Sequence, residues 1–352
     1  MALRTRSARS VERIEAIGRR DADDRTMRRA VLDELHGVVP FDIHVWLLTD
    51  PETEVGSAPL ADAPVPGDLP RLIRAKYITP LNRWTALNGP IATLHDASKG
   101  DLARSFVWSE VLSSYAVTDV ASMVFRDRHG CWGWLDLWRS DGEPFSADEQ
   151  GHLAATATAI TGVMRRAQAR TFVPVPADAS RSGPVVLVLS PQLEVQAQTP
   201  ETEHYLRTLV PPGADRPPVP AGAFNVAAQL LAREAGIDNH EASARVHLGD
   251  GRWLTLRAAR VHRSAGDGPG DIAVTIEEAS SSQRRSLFTR SHALSPRETD
   301  VVDQLATGAD TRTIAEALFV SEHTVQDHLK SIYAKTGTHT RRALLARVAG
   351  DG

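Results

Sequence analysis

The sequence predicts a multidomain chain: two α+β domains in succession, then an all-α domain of four helices. Three observations carry this. The 352 residues suffice for two or three domains, each with its own core. Strand-like and helix-like stretches alternate twice before Glu278, parted at 171–184 by a segment rich in Pro, Ala and Ser. Beyond Ala293 only helical patterning remains, with capping signals ahead of its helices. The expected boundaries are 1–170 and 185–279 for the α+β domains, 171–184 and 280–292 for two linkers, and 293–352 for the helical domain.

Hydrophobic residues make up 42% and charged residues 24%, and the formal net charge is −4, the profile of a soluble globular protein. A slightly acidic whole confines any nucleic-acid binding to a local patch. Cys131 is the only cysteine, so no internal disulfide is expected. No apolar run approaches the ~18 residues of a membrane span. Arg19-Arg20 is followed by no apolar stretch, which argues against a twin-arginine signal. A cytoplasmic protein is expected.

The first 36 residues are polar and helical after about the first ten by periodicity, with Val11, Ile14, Ile17, Val31, Leu32 and Leu35 in partial register. Nine Arg lie between Arg4 and Arg29, interleaved with Glu12, Glu15, Asp21, Asp23 and Asp24. That alternation suits a solvated helix face better than a nucleic-acid arm. Phe41–Leu48 reads as a strand, followed by a Pro-rich loop through Pro70. Asp101–Ser113 has a helical pattern. Val120–Arg126 and Trp132–Trp138 read as strands joined by the turn Asp127-Arg128-His129-Gly130. Ser146-Ala147-Asp148-Glu149 is a capping box opening a long helix to Arg166. The stretch GCWGWLDLWRSDGEPFSADEQGHLAATATAI resembles the end of a GAF domain. That resemblance implies a module, from roughly Ala16 to Ala169, that senses a small molecule or another signal.

Six of the seven Trp fall between Trp46 and Trp138. Trp84, Trp108, Trp132 and Trp134 are the candidate ligand-pocket residues, since indoles can wall a pocket on such a sheet. They can equally be core. Tyr77 with Trp84 is similar to the autoinducer-binding domain of quorum-sensing LuxR proteins. The fuller aromatic and acidic pattern of that domain is missing, so no homoserine lactone is implied. Cys131 and His129 are too few to fill a metal's coordination shell.

Val185–Leu189 and Leu193–Ala197 read as paired strands, and Glu201–Leu209 and Ala223–Ala235 as helices about a Pro-rich loop from Pro211 to Pro220. Ser243–Leu248, Trp253–Val261 and Ile272–Ile276 read as three strands, with Gly249-Asp250-Gly251 turning the first into the second. Two strands, helices, then three strands resembles a PAS domain, with a generic α+β packing module as the alternative. Ser280–His292 is polar and reads as a linker.

The last stretch is the most explicit. Ser295-Pro296-Arg297-Glu298 forms a capping box with Pro at the first helical position. Val301, Val302 and Leu305 make an apolar stripe that Gly308 ends. Asp310 caps a second helix with Ile314, Ala315 and Leu318 inward. Phe319-Val320 is a tight turn, and Ser321 caps a third helix to about Lys335. On that helix Val325, Leu329 and Ile332 share one face, against His323, Gln326, Asp327, Lys330, Ser331 and Lys335. This is a helix-turn-helix, whose second helix fits the major groove of DNA.

The string LSPRETDVVDQLATGADTRTIAEALFVSEHTVQDHLKSIYAKTGTHTRRALLARV resembles the DNA-binding domain of the LuxR family of bacterial transcription regulators. The matching positions are Leu294, Arg297-Glu298, Gly308, Ile314-Ala315, Leu318, Val320-Ser321, Thr324-Val325, His328, Ile332, Lys335, Gly337 and Arg341. By position, the resemblance implies that Gln326, Asp327 and Lys330 face base edges, with Thr324, His328 and Lys335 towards phosphates. Arg341 belongs to the same contact set. Leu344, Leu345 and Val348 on the fourth helix are the implied pairing surface of a homodimer reading two operator half-sites in double-stranded DNA. Gln326 replaces a common Lys, and Thr336 and Thr338 put hydroxyls where Leu and Val are usual. From Arg290 to Gly352 there are eight Lys/Arg against eight Asp/Glu. Attraction to phosphates must therefore come from clustering of Lys330, Lys335, Arg341 and Arg342.

No Gly-rich phosphate loop with a Lys, no Gly-x-Ser-x-Gly, no His-Glu-x-x-His and no Cys-x-x-Cys occurs. No catalytic residue, metal or cofactor is expected. The sequence thus points to a sequence-specific DNA-binding transcriptional regulator whose amino-terminal domains sense a small molecule or protein signal. The rival is an interaction protein whose helix-turn-helix docks a protein partner.

Overall fold

The computed structural model describes residues 2–62, 66–175, 185–209, 219–261 and 270–350. The chain opens with α1 (Ala2–Arg19) and α2 (Asp24–His36), the latter capped by Asp23, whose carboxylate accepts the Thr26 N–H at 2.9 Å. There follow β1 (Ile43–Thr49), β2 (Gly56–Ala61), α3 (Leu69–Ile78), β3 (Ile91–Thr93), α4 (Leu94–Ser98), α5 (Phe106–Glu110), β4 (Val117–Asp127), β5 (Gly130–Ser140) and α6 (Ala147–Arg170). The five strands form one antiparallel sheet in the order β2-β1-β5-β4-β3. β2, α3 and β3 arise within stretches that the sequence showed as loop or left unassigned. The β4–β5 turn needs Gly130: its φ is 143°, and a side chain there would strike the Pro51 carbonyl. The capping box at Ser146 is present, with the Ser146 N–H to Glu149 Oε2 at 2.9 Å and the Glu149 N–H to Ser146 Oγ at 3.4 Å.

A second sheet follows from β6 (Val185–Leu189), β7 (Val195–Gln198), α7 (Pro200–Leu209), α8 (Ala221–Glu234), β8 (Ser243–Gly249), β9 (Arg252–Arg260) and β10 (Ile272–Glu278). Its order, β7-β6-β10-β9-β8, repeats that of the first sheet position for position. Most of Pro211–Pro220, Gly266–Gly268 and residues 176–184 of the expected first linker lie outside the described residues. The chain ends in α9 (Ser281–Ser291), α10 (Pro296–Ala306), α11 (Thr311–Leu318), α12 (Glu322–Thr336) and α13 (Arg341–Ala349). Among the described residues no helix is long and apolar enough to cross a membrane.

The chain divides into two compact units. One gathers Met1–Met164, Ser182–Val246 and Leu254–Glu277; the other gathers Arg165–Arg181, His247–Trp253 and Glu278–Gly352. Within the first unit the two sheets are bound to each other by buried polar groups. Asp50, after β1, receives the Arg245 guanidinium of β8 at 2.6 Å through both Nε and Nη2, and the Arg245 N–H at 2.9 Å. Burial would raise the Asp50 carboxyl, but those donors hold it below its ordinary value. The Tyr77 hydroxyl on α3 donates to Asn225 Oδ1 of α8 at 3.0 Å and accepts the Gly56 N–H at 3.0 Å. Thr85 donates to Asp238, and Thr53 to the Ser243 carbonyl at 2.6 Å.

In the second unit, the polar stretch read as a linker, Ser280–His292, folds as α9. Ser280 and Gln283 make a reciprocal cap, and Leu287 and Phe288 are fully buried. Only two apolar anchors fall in that stretch, too few to reveal a helix by periodicity. Phe172 stacks on Trp253 at 5.2 Å and meets Phe288 edge-on at 5.4 Å. The buried Arg284 guanidinium donates to the carbonyls of Gly251, Val173 and Arg347. The cluster continues through Val301, Leu305, Ile314, Val325 and Ile332.

Asp50→Ala leaves the buried Arg245 charge to the more exposed Glu52 carboxylate, 3.0 Å from Nη2. It is expected to lower stability by about 3–5 kcal/mol in urea unfolding, whereas an Asp50→Leu, Arg245→Met double change recovers most of the loss. Equal losses in the single and double variants would remove this pair from its structural role.

Candidate nucleic-acid interface

The helix-turn-helix is assembled by caps that the sequence announced. The Ser295 N–H meets Glu298 Oε2 at 2.6 Å, and the Glu298 N–H meets Ser295 Oγ at 3.3 Å. Asp310 caps α11 at the Thr313 N–H, 2.8 Å. Ser321 caps α12 at the Thr324 N–H, 3.1 Å. Between them Phe319 adopts a left-handed backbone, and the Val320 N–H bonds the Ala315 carbonyl at 3.0 Å.

On α12, Val325, Leu329 and Ile332 are buried in the domain core. The other side carries Gln326, Asp327 and Lys330 exposed, with Thr324 and His328 half-buried. Gln326 Nε2 lies 3.4 Å from Thr311 Oγ1 at the start of α11, which turns its amide along the exposed face. Lys330 Nζ donates to Asp327 at 3.0 Å, and His323 Nε2 stands 3.5 Å from the same carboxylate. The Lys330 hydrogen bond holds Asp327 below its ordinary value. Thr336 and Thr338, the hydroxyls in normally apolar places, are both buried and satisfy one another at 2.8 Å, with Thr336 also donating to the Ile332 carbonyl.

Two expected phosphate contacts have other partners. Lys335 gives its ammonium to Glu298, at 2.9 Å and 2.6 Å, and Ser331 donates to the same carboxylate at 2.6 Å. Arg341 donates to the Ala309 carbonyl. The capping box revealed Glu298 only as a cap. Its link to α12, across 37 residues, has no sequence signal. Burial would raise the Glu298 carboxyl, but Lys335, Ser331 and the Ser295 N–H bring it down to about 2.

On the expected pairing surface, Leu344 is fully buried and Val348 nearly so, inside the cluster that includes Leu287, Phe288 and Leu294; Leu345 packs against it from a half-buried place. The chain's own helices cover that face.

The four indoles expected to wall a pocket likewise have other roles. Trp84, Trp132 and Trp134 are buried core, with Trp84 stacked on Trp134 at 5.3 Å. Trp108 is half-buried and donates to the Val117 carbonyl at 2.9 Å. One cavity on this sheet, a space of about 10 Å³, is bounded by Leu72, Lys76, Asn82, Leu94, Ser122 and Asp136 among others, and Trp84 borders it by donating to Asp136 at 3.2 Å. There Lys76 and Asp136 form an ion pair of 2.8 Å, nearly without solvent exposure.

Residues 292–348 match the profile described as bacterial regulatory proteins, luxR family. The carboxyl-terminal domain is of the LuxR type. A "Putative HTH-type transcriptional regulator" of Mycobacterium bovis is 35% identical over 82 residues, which take in 23% of this chain and 9% of that protein. The "Probable HTH-type transcriptional regulator GfsR" of Streptomyces halstedii is 37% identical over 79 residues, 22% of this chain and 32% of that one. The chain thus spans less than a third of the length of these relatives. Among solved structures, a VqmA dimer of Vibrio cholerae aligns at 14% identity and a TM-score of 0.21, covering 47% of this chain and 82% of that one.

Because Glu298 lies well below the ordinary carboxylate range when folded, its contribution is fully present above about 4.5 and is lost as pH falls towards about 2. Glu298→Gln in the LuxR-type domain is expected to lower stability by about 2 kcal/mol at neutral pH. Melting followed against pH should show the gap between the two proteins closing below about pH 4. A gap that persists at pH 2 would take the charge out of the explanation.

Proposed function

We propose that this chain is a sequence-specific DNA-binding transcriptional regulator of LuxR type, acting in the cytoplasm, whose two α+β regions sense a small-molecule or protein signal. One observation carries the DNA-binding part. Within the LuxR-type segment, α12 hides Val325, Leu329 and Ile332 and turns Gln326, Asp327 and Lys330 outward. A helix so arranged, entered from a tight turn, is the shape that fits the major groove. Gln326 can pair bidentately with adenine, and Lys330 can donate to guanine O6 and N7. The Asp327–Lys330 pair is exposed to water, so opening it for a base is inexpensive.

Thr324 and His328 are the phosphate-side contacts in this reading. Lys335 and Arg341 serve chiefly to hold the domain together, so few cations remain for phosphates and affinity from one copy is modest. Two copies on two half-sites would raise it. Pairing through α13 would need Leu344 and Val348 to leave their core, so a homodimer in this state uses another face. A signal would act by shifting the population of arrangements, and by no more than its differential affinity for them.

The balance of eight basic against eight acidic residues favours one second reading, a helix-turn-helix that docks a protein. Gel-shift binding of the full chain to DNA upstream of its own gene, stepped through rising salt, separates the two. Regulator function predicts binding at low salt that weakens as salt increases; no complex at any salt favours the docking protein. Lys330→Ala is expected to weaken binding by about 1–3 kcal/mol and to relax the preference at one base pair. Unchanged affinity and preference in that variant would defeat the base-reading role of Lys330.

A further inference from the structure

Phe319 stands apart among the exposed apolar side chains. It is 95% exposed, while Phe106, Val173, Val195 and Val261 lie between 38% and 47%. It occupies the turn between α11 and α12 with φ 55°, the left-handed region where a helix usually ends on Gly or Asn. The position therefore carries two unfavourable choices at once: a Cβ in a backbone state that disfavours one, and a benzyl ring left in water. No aromatic partner for it occurs among the described residues. Departures of this kind from local rules collect at functional positions, where a contact outside the fold offsets them.

The place of the residue says what that contact is. Phe319 comes two residues before Ser321, the cap of α12, and the first residues of a groove-reading helix are those nearest the base edges. The exposed Glu322, three residues on in the first turn of α12, disfavours phosphate there, and a benzyl ring is suited to an apolar edge of the duplex rather than to the charged backbone. We propose that Phe319 is a further DNA-contacting residue, its ring packing on a thymine methyl or on a deoxyribose at the rim of the groove as α12 enters. The inference rests on the regulator reading.

The test uses the full chain, the variants Phe319→Asn and Phe319→Gly, and a duplex that the unaltered chain selects from a random pool. Asn and Gly both accept the left-handed backbone, so the melting midpoint should stay or rise. Affinity for the selected duplex, read by fluorescence anisotropy, should fall about tenfold, as expected for losing one buried aromatic contact. Replacing thymines by uracil separates the two sources. If a methyl is the partner, the unaltered chain loses a similar factor on the uracil duplex and the variants lose nothing more. If the sugar is the partner, the tenfold gap between chain and variants persists on both duplexes.

Equal affinity of all three proteins for the selected duplex overturns this inference and leaves the regulator reading standing. A midpoint that falls in both variants assigns the ring to the fold and overturns it too. Failure of the unaltered chain to select any duplex removes the regulator reading and this inference together.

Discussion

The LuxR-type domain depends on one carboxylate. Glu298 completes the cap of α10 through the Ser295 N–H, and its oxygens also take Ser331 and Lys335 from α12. One buried side chain therefore starts the first helix of the domain and fixes how the groove-facing helix lies upon it. Aliphatic packing of Val325, Leu329 and Ile332 supplies more free energy, but it is non-directional. A hydrogen-bonded ionic contact between two helices has one geometry, and so sets the rotation of α12 that turns Gln326 and Lys330 outward.

That arrangement decides which cations are left for DNA. A sequence count treats each Lys and Arg alike, whereas the fold commits Lys335 to Glu298 and Arg341 to the Ala309 carbonyl. Of the four cations expected to cluster, that leaves Lys330 and Arg342, both exposed. In the proposed reading, recognition then leans more on shape and base edges, and Gln326, the amide in place of a common Lys, takes a larger share of the contact.

The local signals were legible: three caps in the helix-turn-helix, the Ser146 box and the glycines of the β8–β9 turn all stand where Ser, Asp, Glu and Gly announced them. They act within four residues of themselves, so their physics is contained in the string. Long-range choices were not. Leu344 and Val348 look the same whether they face a second copy or α9, and α9 itself was masked by its polar composition. The indoles are ambiguous as pocket markers for a related reason. A large ring signals burial, and only the three-dimensional arrangement says whether it is buried against protein or ligand.

One cavity on the first sheet, of about 10 Å³, holds roughly one water. In the proposed sensing role, a ligand entering there would part the helices over that sheet from Lys76 and Asp136. Those two ions satisfy one another out of water, so separating them without replacement costs about 3–5 kcal/mol. A ligand entering at this cavity would need its own acceptor for the ammonium and donor for the carboxylate, so the pair would disfavour purely apolar occupants. Because Asp50–Arg245 and Tyr77–Asn225 fasten the two sheets to each other, a displacement on the first sheet is resisted by the second, and in the proposed sensing role a signal would act on the unit as a whole.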